Sequence, residues 1–142
     1  MTVTKVDAAL DNFDDLFASH FAAAADGGGS SSSNAVKLLL FLADREPSSN
    51  LTWCPDCNVA EPVIYPKLDA LEGRDVVLLR AFVGDKPTWR DPAHPWRLDP
   101  RFRLTGVPTL LRWDASKGEA TARLGDDEAG VADKIDALLL LD

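Results

Sequence analysis

The chain is short of cysteine, of cations and of long apolar runs, and each shortage excludes a class of protein. Its 142 residues include only two cysteines, too few for the disulfide framework of a small secreted domain. Lys and Arg number 15 against 23 Asp and Glu, and the net charge of −8 argues against a general affinity for nucleic acid or anionic membranes. The longest purely apolar run, Leu38 to Ala43, is far too short to span a bilayer.

What remains is the composition of a globular domain, with 46% hydrophobic and 27% charged residues. The first residues place Lys5 and several aspartates where a secretory signal peptide needs an uninterrupted apolar core, so we expect an intracellular protein. Residues 27–33, Gly-Gly-Gly-Ser-Ser-Ser-Ser, predict a flexible loop that is too short to separate two domains. We therefore expect a single domain over residues 1–142.

Alternating patterns and apolar runs predict the strands of this domain. Residues 2–6 alternate polar and apolar side chains, whereas two later segments are almost continuously apolar, as in strands buried on both faces. The last two strands predict a hairpin joined by residues 116–118. The predicted strands cover residues 2–6, 36–43, 75–83, 109–113 and 119–124.

Apolar residues at helical spacing predict three helices, over residues 8–25, 54–71 and 126–141. Asp7 is placed as the N-cap of the first, and Pro66 is expected to break the second half of the second. Residues 86–104 predict a loop with a short helix from Pro100. The order β-α-β-α-β-(α)-β-β-α predicts an α/β fold in which helices flank a mixed sheet of about five strands, parallel at first and ending in an antiparallel hairpin.

The motif Trp53-Cys54-Pro55-Asp56-Cys57 carries the chemistry of the chain. A Cys-x-x-Cys pair at a helix start brings the sulfurs together, and the helix dipole stabilises a thiolate on the first one. A thiolate attacks disulfides, and the second thiol then resolves the mixed disulfide. We predict that Cys54 is the exposed nucleophile, that Cys57 is the resolving thiol, and that Trp53 shields the site. We predict no metal site, because a zinc site needs four ligands.

Four features together resemble the thioredoxin superfamily: a buried strand, the Trp-Cys-x-x-Cys motif, Pro62 five residues past the second cysteine, and Gly106-Val107-Pro108-Thr109 opening a strand. The Trp-Cys-Pro-Asp-Cys version, the insert at residues 44–52 and the segment at residues 83–89 are similar to the Clot family of thioredoxin-related proteins, in its plant branch. The resemblance covers about residues 2–141 and implies a thioredoxin-like fold.

The resemblance also implies a cytosolic protein-disulfide reductase with no bound cofactor and with neither nucleic acid nor membrane as partner. Its electrons come from NADPH through thioredoxin reductase or glutathione, and they pass to a narrow set of protein disulfides or to small disulfides such as cystine. The resemblance implies a cis bond before Pro108, substrate binding by the backbone of Gly106 and Val107, and supporting roles for Trp53 and Pro55. Two alternatives stay open: a glutaredoxin-like, glutathione-dependent reductase, and a redox-dependent binding module.

The chain departs from ordinary thioredoxins in lacking a buried acid on the strand before the motif, at residues 38–42. Another group must then help to move the proton of the resolving thiol, and Asp56 inside the motif is the nearest candidate, with Asp44 and Glu61 behind it. The insert at residues 44–52 is expected to crowd one side of the thiols, which favours small or exposed disulfides as substrates.

Residues 86–112 form a basic segment, with six cations against two acids in a chain that is acidic as a whole. This segment leads into Pro108, so one hypothesis is a basic rim that favours anionic disulfides. The alternative is that its arginines pair with the acidic remainder of the chain.

Overall fold

Five strands form one mixed sheet in the computed structural model, which describes residues 3–21, 35–46, 48–49, 51–71, 75–114 and 117–140. The strands are β1 (Val3–Ala8), β2 (Val36–Leu42), β3 (Val76–Phe82), β4 (Thr109–Asp114) and β5 (Glu119–Leu124). The helices in this part of the chain are α1 (Phe13–Phe21), α2 (Pro55–Asp69), α3 (Lys86–Arg90), α4 (Pro95–Leu98) and α5 (Ala132–Leu139). The predicted element order is confirmed, and two short helices, α3 and α4, lie between β3 and β4, where one short helix was predicted.

The sheet order is β1-β3-β2-β4-β5, so that β2 lies in the middle. Both β1 and β2 run parallel to β3, whereas β4 runs antiparallel to β2 and to β5. The predicted mixed sheet, parallel first and ending in a hairpin, is confirmed. The apolar run from Leu38 to Leu42 is buried throughout, because a central strand has side chains packed on both faces.

Two predicted helix starts are wrong. Asp7 does not cap α1, because that helix begins at Phe13. Asp7 lies in β1 and forms an ion pair with Arg80 of the neighbouring β3. The last helix begins at Ala132, because the acidic residues from Asp126 onward form turns before it. The predicted flexible loop at residues 27–33 lies outside the described residues.

The prediction that Pro66 breaks the second helix is also wrong. Helix α2 runs from Pro55 to Asp69 with both Pro62 and Pro66 inside it. Both prolines are exposed and lie one turn apart, so the hydrogen bonds that they remove are lost on a face where water can replace them.

The segment after β3 folds into α3 and α4 instead of a loop with a helix from Pro100. Each short helix has a capping side chain and a proline in its first turn, which favours helix initiation. Asp85 Oδ1 accepts the Thr88 N–H at 3.0 Å, and His94 Nδ1 accepts the Trp96 N–H at 3.1 Å. Residues 99–102 instead form a turn closed by a 3.1 Å bond from Phe102 N to Asp99 O.

An aromatic cluster joins α1 and these short helices to the sheet. Phe13 of α1 contacts Phe41, Trp96 and Phe102, with ring centroids 6.1, 4.9 and 5.6 Å away. The three tryptophans outside the motif, Trp89, Trp96 and Trp113, are all buried. Within the described ranges, no helix is both long and apolar enough to cross a membrane.

Candidate dithiol active site

The two cysteines lie at the start of α2, where the motif predicted them. Cys54 is the N-cap residue with extended backbone, φ −105° and ψ 111°, and its Sγ accepts the Cys57 N–H at 3.4 Å. Pro55 occupies the first turn, where the helix needs no N–H donor, and Asp56 is exposed beside it. Both thiols are free. The prediction of an exposed Cys54 is wrong in degree, because only 7% of this residue is exposed, against 0% of Cys57.

The surroundings of the two thiols move their pKa values in opposite directions. The hydrogen bond from the Cys57 side chain, helped by the backbone amides of Cys57 and Asp56, lowers the pKa of Cys54 to about 7, against the effect of burial and of the Asp56 carboxylate. The same hydrogen bond and then burial raise the pKa of Cys57. Cys54 is therefore the thiol that ionises near neutral pH, which fits its predicted role as the nucleophile.

The loop before β4 brings a backbone carbonyl to the first sulfur. The predicted cis bond between Val107 and Pro108 is present, and the Val107 carbonyl accepts a hydrogen bond from Cys54 Sγ at 3.4 Å. Thr109 Oγ1 donates to the Gly106 carbonyl at 2.7 Å. A Cβ on Gly106 would lie 2.8 Å from the Asp126 carboxyl group, so the glycine leaves room for that side chain. The structure thus brings the Val107 backbone to Cys54, as predicted, with Gly106 and cis Pro108 on either side of it, and substrate binding by this loop stays a prediction.

Two residues that sequence reasoning missed join the preceding loop to α2. Asn58 Oδ1 accepts the Thr52 N–H at 2.9 Å, and Asn58 Nδ2 donates to the Thr52 carbonyl at 3.0 Å. The Thr52 hydroxyl in turn accepts the Cys54 N–H at 3.0 Å. The available sequence signal is weak: Thr and Asn commonly bond local backbone near a helix start. We call this pair of residues, Thr52 and Asn58, the loop clamp.

Trp53 and Asp44 are both bound to Gly84 at the end of β3. Trp53 Nε1 donates to the Gly84 carbonyl at 3.0 Å, and Asp44 Oδ1 accepts the Gly84 N–H at 3.0 Å. Gly84 has φ of +101°, and a Cβ there would meet Thr88 Cγ2 at 2.8 Å, so glycine is required. The half-buried indole is held beside the motif, and its shielding of the thiol stays a prediction. An isolated β-bridge between Arg45 and Thr52 closes the insert at residues 44–52. The crowding of the thiols by this insert also stays a prediction.

Of the three candidate acids, Glu61 is the one that shares the buried face of α2 with the resolving thiol. Glu61 lies one turn after Cys57 on α2, is 7% exposed, and raises the pKa of the Cys57 thiol by its charge. Its carboxylate forms an ion pair with Arg45 and accepts a 2.6 Å hydrogen bond from Tyr65 Oη. Asp56, by contrast, is exposed and acts on Cys54, and Asp44 is bound to the Gly84 amide.

The arginines of the basic segment are largely used inside the fold. Arg112 Nη1 donates to the Leu138 and Leu139 carbonyls, at 3.1 and 2.9 Å. Arg101 pairs with Asp99 at 2.6 Å and stacks over the rings of Phe17 and Phe102. These contacts favour the structural interpretation of the segment over a basic rim.

The histidines do not assemble a metal site in the described part of the chain, where no group of three or more His, Cys, Asp or Glu side chains could hold an ion. Buried His94 uses Nδ1 to cap α4, so its Nε2–H donates to the Val83 carbonyl at 2.9 Å. Burial lowers its pKa, so the ring is a neutral structural element.

Comparisons with known proteins agree with this fold and motif. Residues 17–139 match the family described as thioredoxin domain-containing protein 17-like, thioredoxin domain. The chain is 66% identical to the thioredoxin-like protein Clot of Oryza sativa over 98% of this chain and 97% of that protein. It is 54% identical to the Arabidopsis thaliana protein of the same description, over 66% and 68% of the two chains. Human thioredoxin domain-containing protein 17 is 32% identical over 56% of this chain and 63% of its own. With the sheet order and the Cys-Pro-Asp-Cys helix start, these matches show that the chain belongs to the thioredoxin domain-containing protein 17-like family of thioredoxin-fold proteins, together with the plant Clot proteins.

Proposed function

We propose that this thioredoxin-type protein is a cytosolic thiol–disulfide reductase that acts on a narrow set of protein or small-molecule disulfides. The observation that carries the proposal is the asymmetry of its two free thiols at the start of α2. The pKa of Cys54 is lowered to about 7, so that about half of the sulfur is thiolate at neutral pH, whereas the pKa of Cys57 is raised. We assign the cytosol because dithiols stay reduced there.

The reaction follows from this asymmetry. The Cys54 thiolate attacks one sulfur of the substrate disulfide, which forms a mixed disulfide and releases the first substrate thiol. Cys57 then attacks Cys54 Sγ, releases the second substrate thiol and leaves a Cys54–Cys57 disulfide. Two electrons pass to the substrate in this cycle. A flavoprotein reductase or glutathione returns them from NADPH, so the protein itself needs no bound cofactor.

In this proposal the Val107 carbonyl binds the substrate next to the reacting sulfur. It accepts a hydrogen bond from the Cys54 thiol at 3.4 Å, and it loses that donor when the thiol ionises. The carbonyl can then accept a backbone N–H of an extended substrate segment. Gly106 and cis Pro108 flank Val107 in this loop, and Trp53, Pro55 and Asp56 are the neighbours of Cys54 in the motif.

The proposal is tested by NADPH consumption with cystine as the acceptor. Two donor systems are compared, thioredoxin reductase alone and glutathione with glutathione reductase, and a Cys54→Ser variant serves as the blank. We expect turnover with thioredoxin reductase. Turnover with glutathione alone would favour the glutaredoxin-like alternative, and no turnover above the blank with either donor would favour a redox-dependent binding module.

A further inference from the structure

We propose that Glu61 accepts the proton of the Cys57 thiol when Cys57 attacks the mixed disulfide on Cys54. This inference rests on the proposed function, because it concerns the second step of disulfide reduction. Cys57 is fully buried and its thiol must ionise to act as a nucleophile. A buried thiol without a nearby base ionises slowly, so the identity of the base decides how fast a bound substrate is released.

Position on the helix places Glu61 beside this thiol. Residues four apart on a helix lie on the same face, and Cys57 and Glu61 both belong to the buried face of α2, with Ile64 and Leu68. The Cys54 hydrogen bond and burial are the main causes of the raised pKa of Cys57, and the Glu61 charge adds to them. The other groups that act on Cys57 are the Cys54 thiol and the backbone of Ala43, neither of which is a base for this step.

The residues around Glu61 supply hydrogen-bond and ion-pair partners to its buried carboxylate. Arg45 donates Nη1 to Oε2 at 3.0 Å and Nη2 to Oε1, which offsets the cost of burying the charge. Tyr65 Oη donates to Oε1 at 2.6 Å and itself accepts from Arg80 Nη1 at 3.3 Å. Burial raises the pKa of Tyr65 to about 12, so the phenol keeps its proton and remains a donor. Arg80 is in turn paired with Asp7.

A buried base suits this step because it keeps the net charge of the buried site constant. If Cys57 lost its proton to bulk water, a thiolate would lie beside the Glu61 carboxylate in a buried site, and two like charges there repel strongly. When the proton moves from Cys57 to Glu61, the pair keeps a single negative charge throughout. The Cys57 thiolate then forms a bond to Cys54 Sγ, the bond from Cys54 to the substrate sulfur breaks, and the leaving thiolate takes a proton from water or from Glu61.

The test separates the two steps with the chromogenic disulfide 5,5′-dithiobis(2-nitrobenzoate) and the full-length reduced protein. Attack by Cys54 releases one coloured thiolate, and resolution by Cys57 releases a second, so stopped-flow absorbance gives both rates. We expect the rate of attack by Cys54 in Glu61→Gln to stay within about twofold of the parent rate at neutral pH. The rate of resolution by Cys57 should fall by at least about tenfold, as expected for the loss of a general base. A Glu46→Gln variant is the matched control, because Glu46 is an exposed carboxylate of the preceding loop.

The pH profile distinguishes a base from a structural or purely electrostatic role. Without its base, the second step should depend on hydroxide and accelerate about tenfold per pH unit, whereas the parent protein shows a shallower slope. Removing the Glu61 charge alone would lower the pKa of Cys57 and make the second step faster. Glu61→Asp, which keeps the carboxylate, should recover part of the rate.

Each outcome bears on one of the two proposals. The role of Glu61 would be overturned if Glu61→Gln resolved the mixed disulfide as fast as the parent protein or faster, or if both steps slowed equally. None of these outcomes would contradict the proposed reductase function. If the parent protein releases no second thiolate, the dithiol function itself fails. Should Glu61→Gln not fold because the ion pair with Arg45 is lost, the double variant Arg45→Gln, Glu61→Gln removes both charges and is expected to show the same slow, pH-dependent second step.

Discussion

The loop clamp predicts that Asn58→Ala destabilises the protein although Asn58 is neither a cysteine nor a core side chain. The substitution removes two hydrogen bonds between the Asn58 amide and the Thr52 backbone, at 2.9 and 3.0 Å. A hydrogen bond of this kind contributes about 1 kcal/mol net, so the expected loss in the free energy of unfolding is about 2 kcal/mol. For a domain of this size, that corresponds to a fall in Tm of about 6 °C.

The assay is urea unfolding of the reduced protein, followed by tryptophan fluorescence, with Ser49→Ala as the matched control in the same loop. Ser49 Oγ accepts the Leu51 N–H at 3.4 Å in an exposed position, so its loss is expected to change the free energy of unfolding by less than about 0.5 kcal/mol. If Asn58→Ala and Ser49→Ala unfold at the same urea concentration, the clamp contributes no stability and the reasoning is refuted.

Three further predictions concern the site and its borders. The rate at which iodoacetamide alkylates Cys54 should increase with pH, with a midpoint near pH 7, because the pKa of Cys54 is lowered to about 7. Asp56→Asn should move that midpoint to lower pH, and a midpoint at higher pH would contradict the sign of the Asp56 effect. Gly106→Ala should lower the free energy of unfolding by no more than about 1 kcal/mol, because its Cβ would lie 2.8 Å from the carboxyl of the exposed Asp126 side chain, which can turn away, and Asp126→Ala should remove this loss in a double-mutant cycle. Arg101→Glu should lower Tm, because it replaces a cation that pairs with Asp99 and covers the rings of Phe17 and Phe102. An unchanged Tm would favour the basic-rim hypothesis again.

Apolar patterning predicts the sheet well because the physical cause is local. From Leu38 onward the side chains of β2 are buried on both faces, so the strand had to be apolar there, and residues 38–43 are. Helix boundaries are less predictable, because they depend on competing partners. Asp7 has the residue type of an N-cap, but in the folded chain Arg80 of β3 takes its carboxylate. Likewise Pro66 fits within α2 because its position faces water, and exposure is a property of the whole fold.

The candidate site divides in the same way between local and distant causes. The Cys-x-x-Cys spacing alone places one sulfur at the helix N-cap and predicts the lowered pKa of Cys54, since both depend on consecutive residues. The base for Cys57 depends on contacts between segments. Helical spacing puts Glu61 on the face of Cys57, but a glutamate is normally exposed, and only a partner makes its burial tolerable. That partner is Arg45, sixteen residues earlier in the chain. Whether Arg45 reaches Glu61 depends on how the loop after β2 folds back onto α2, so sequence spacing can suggest the acid and only the fold can select it.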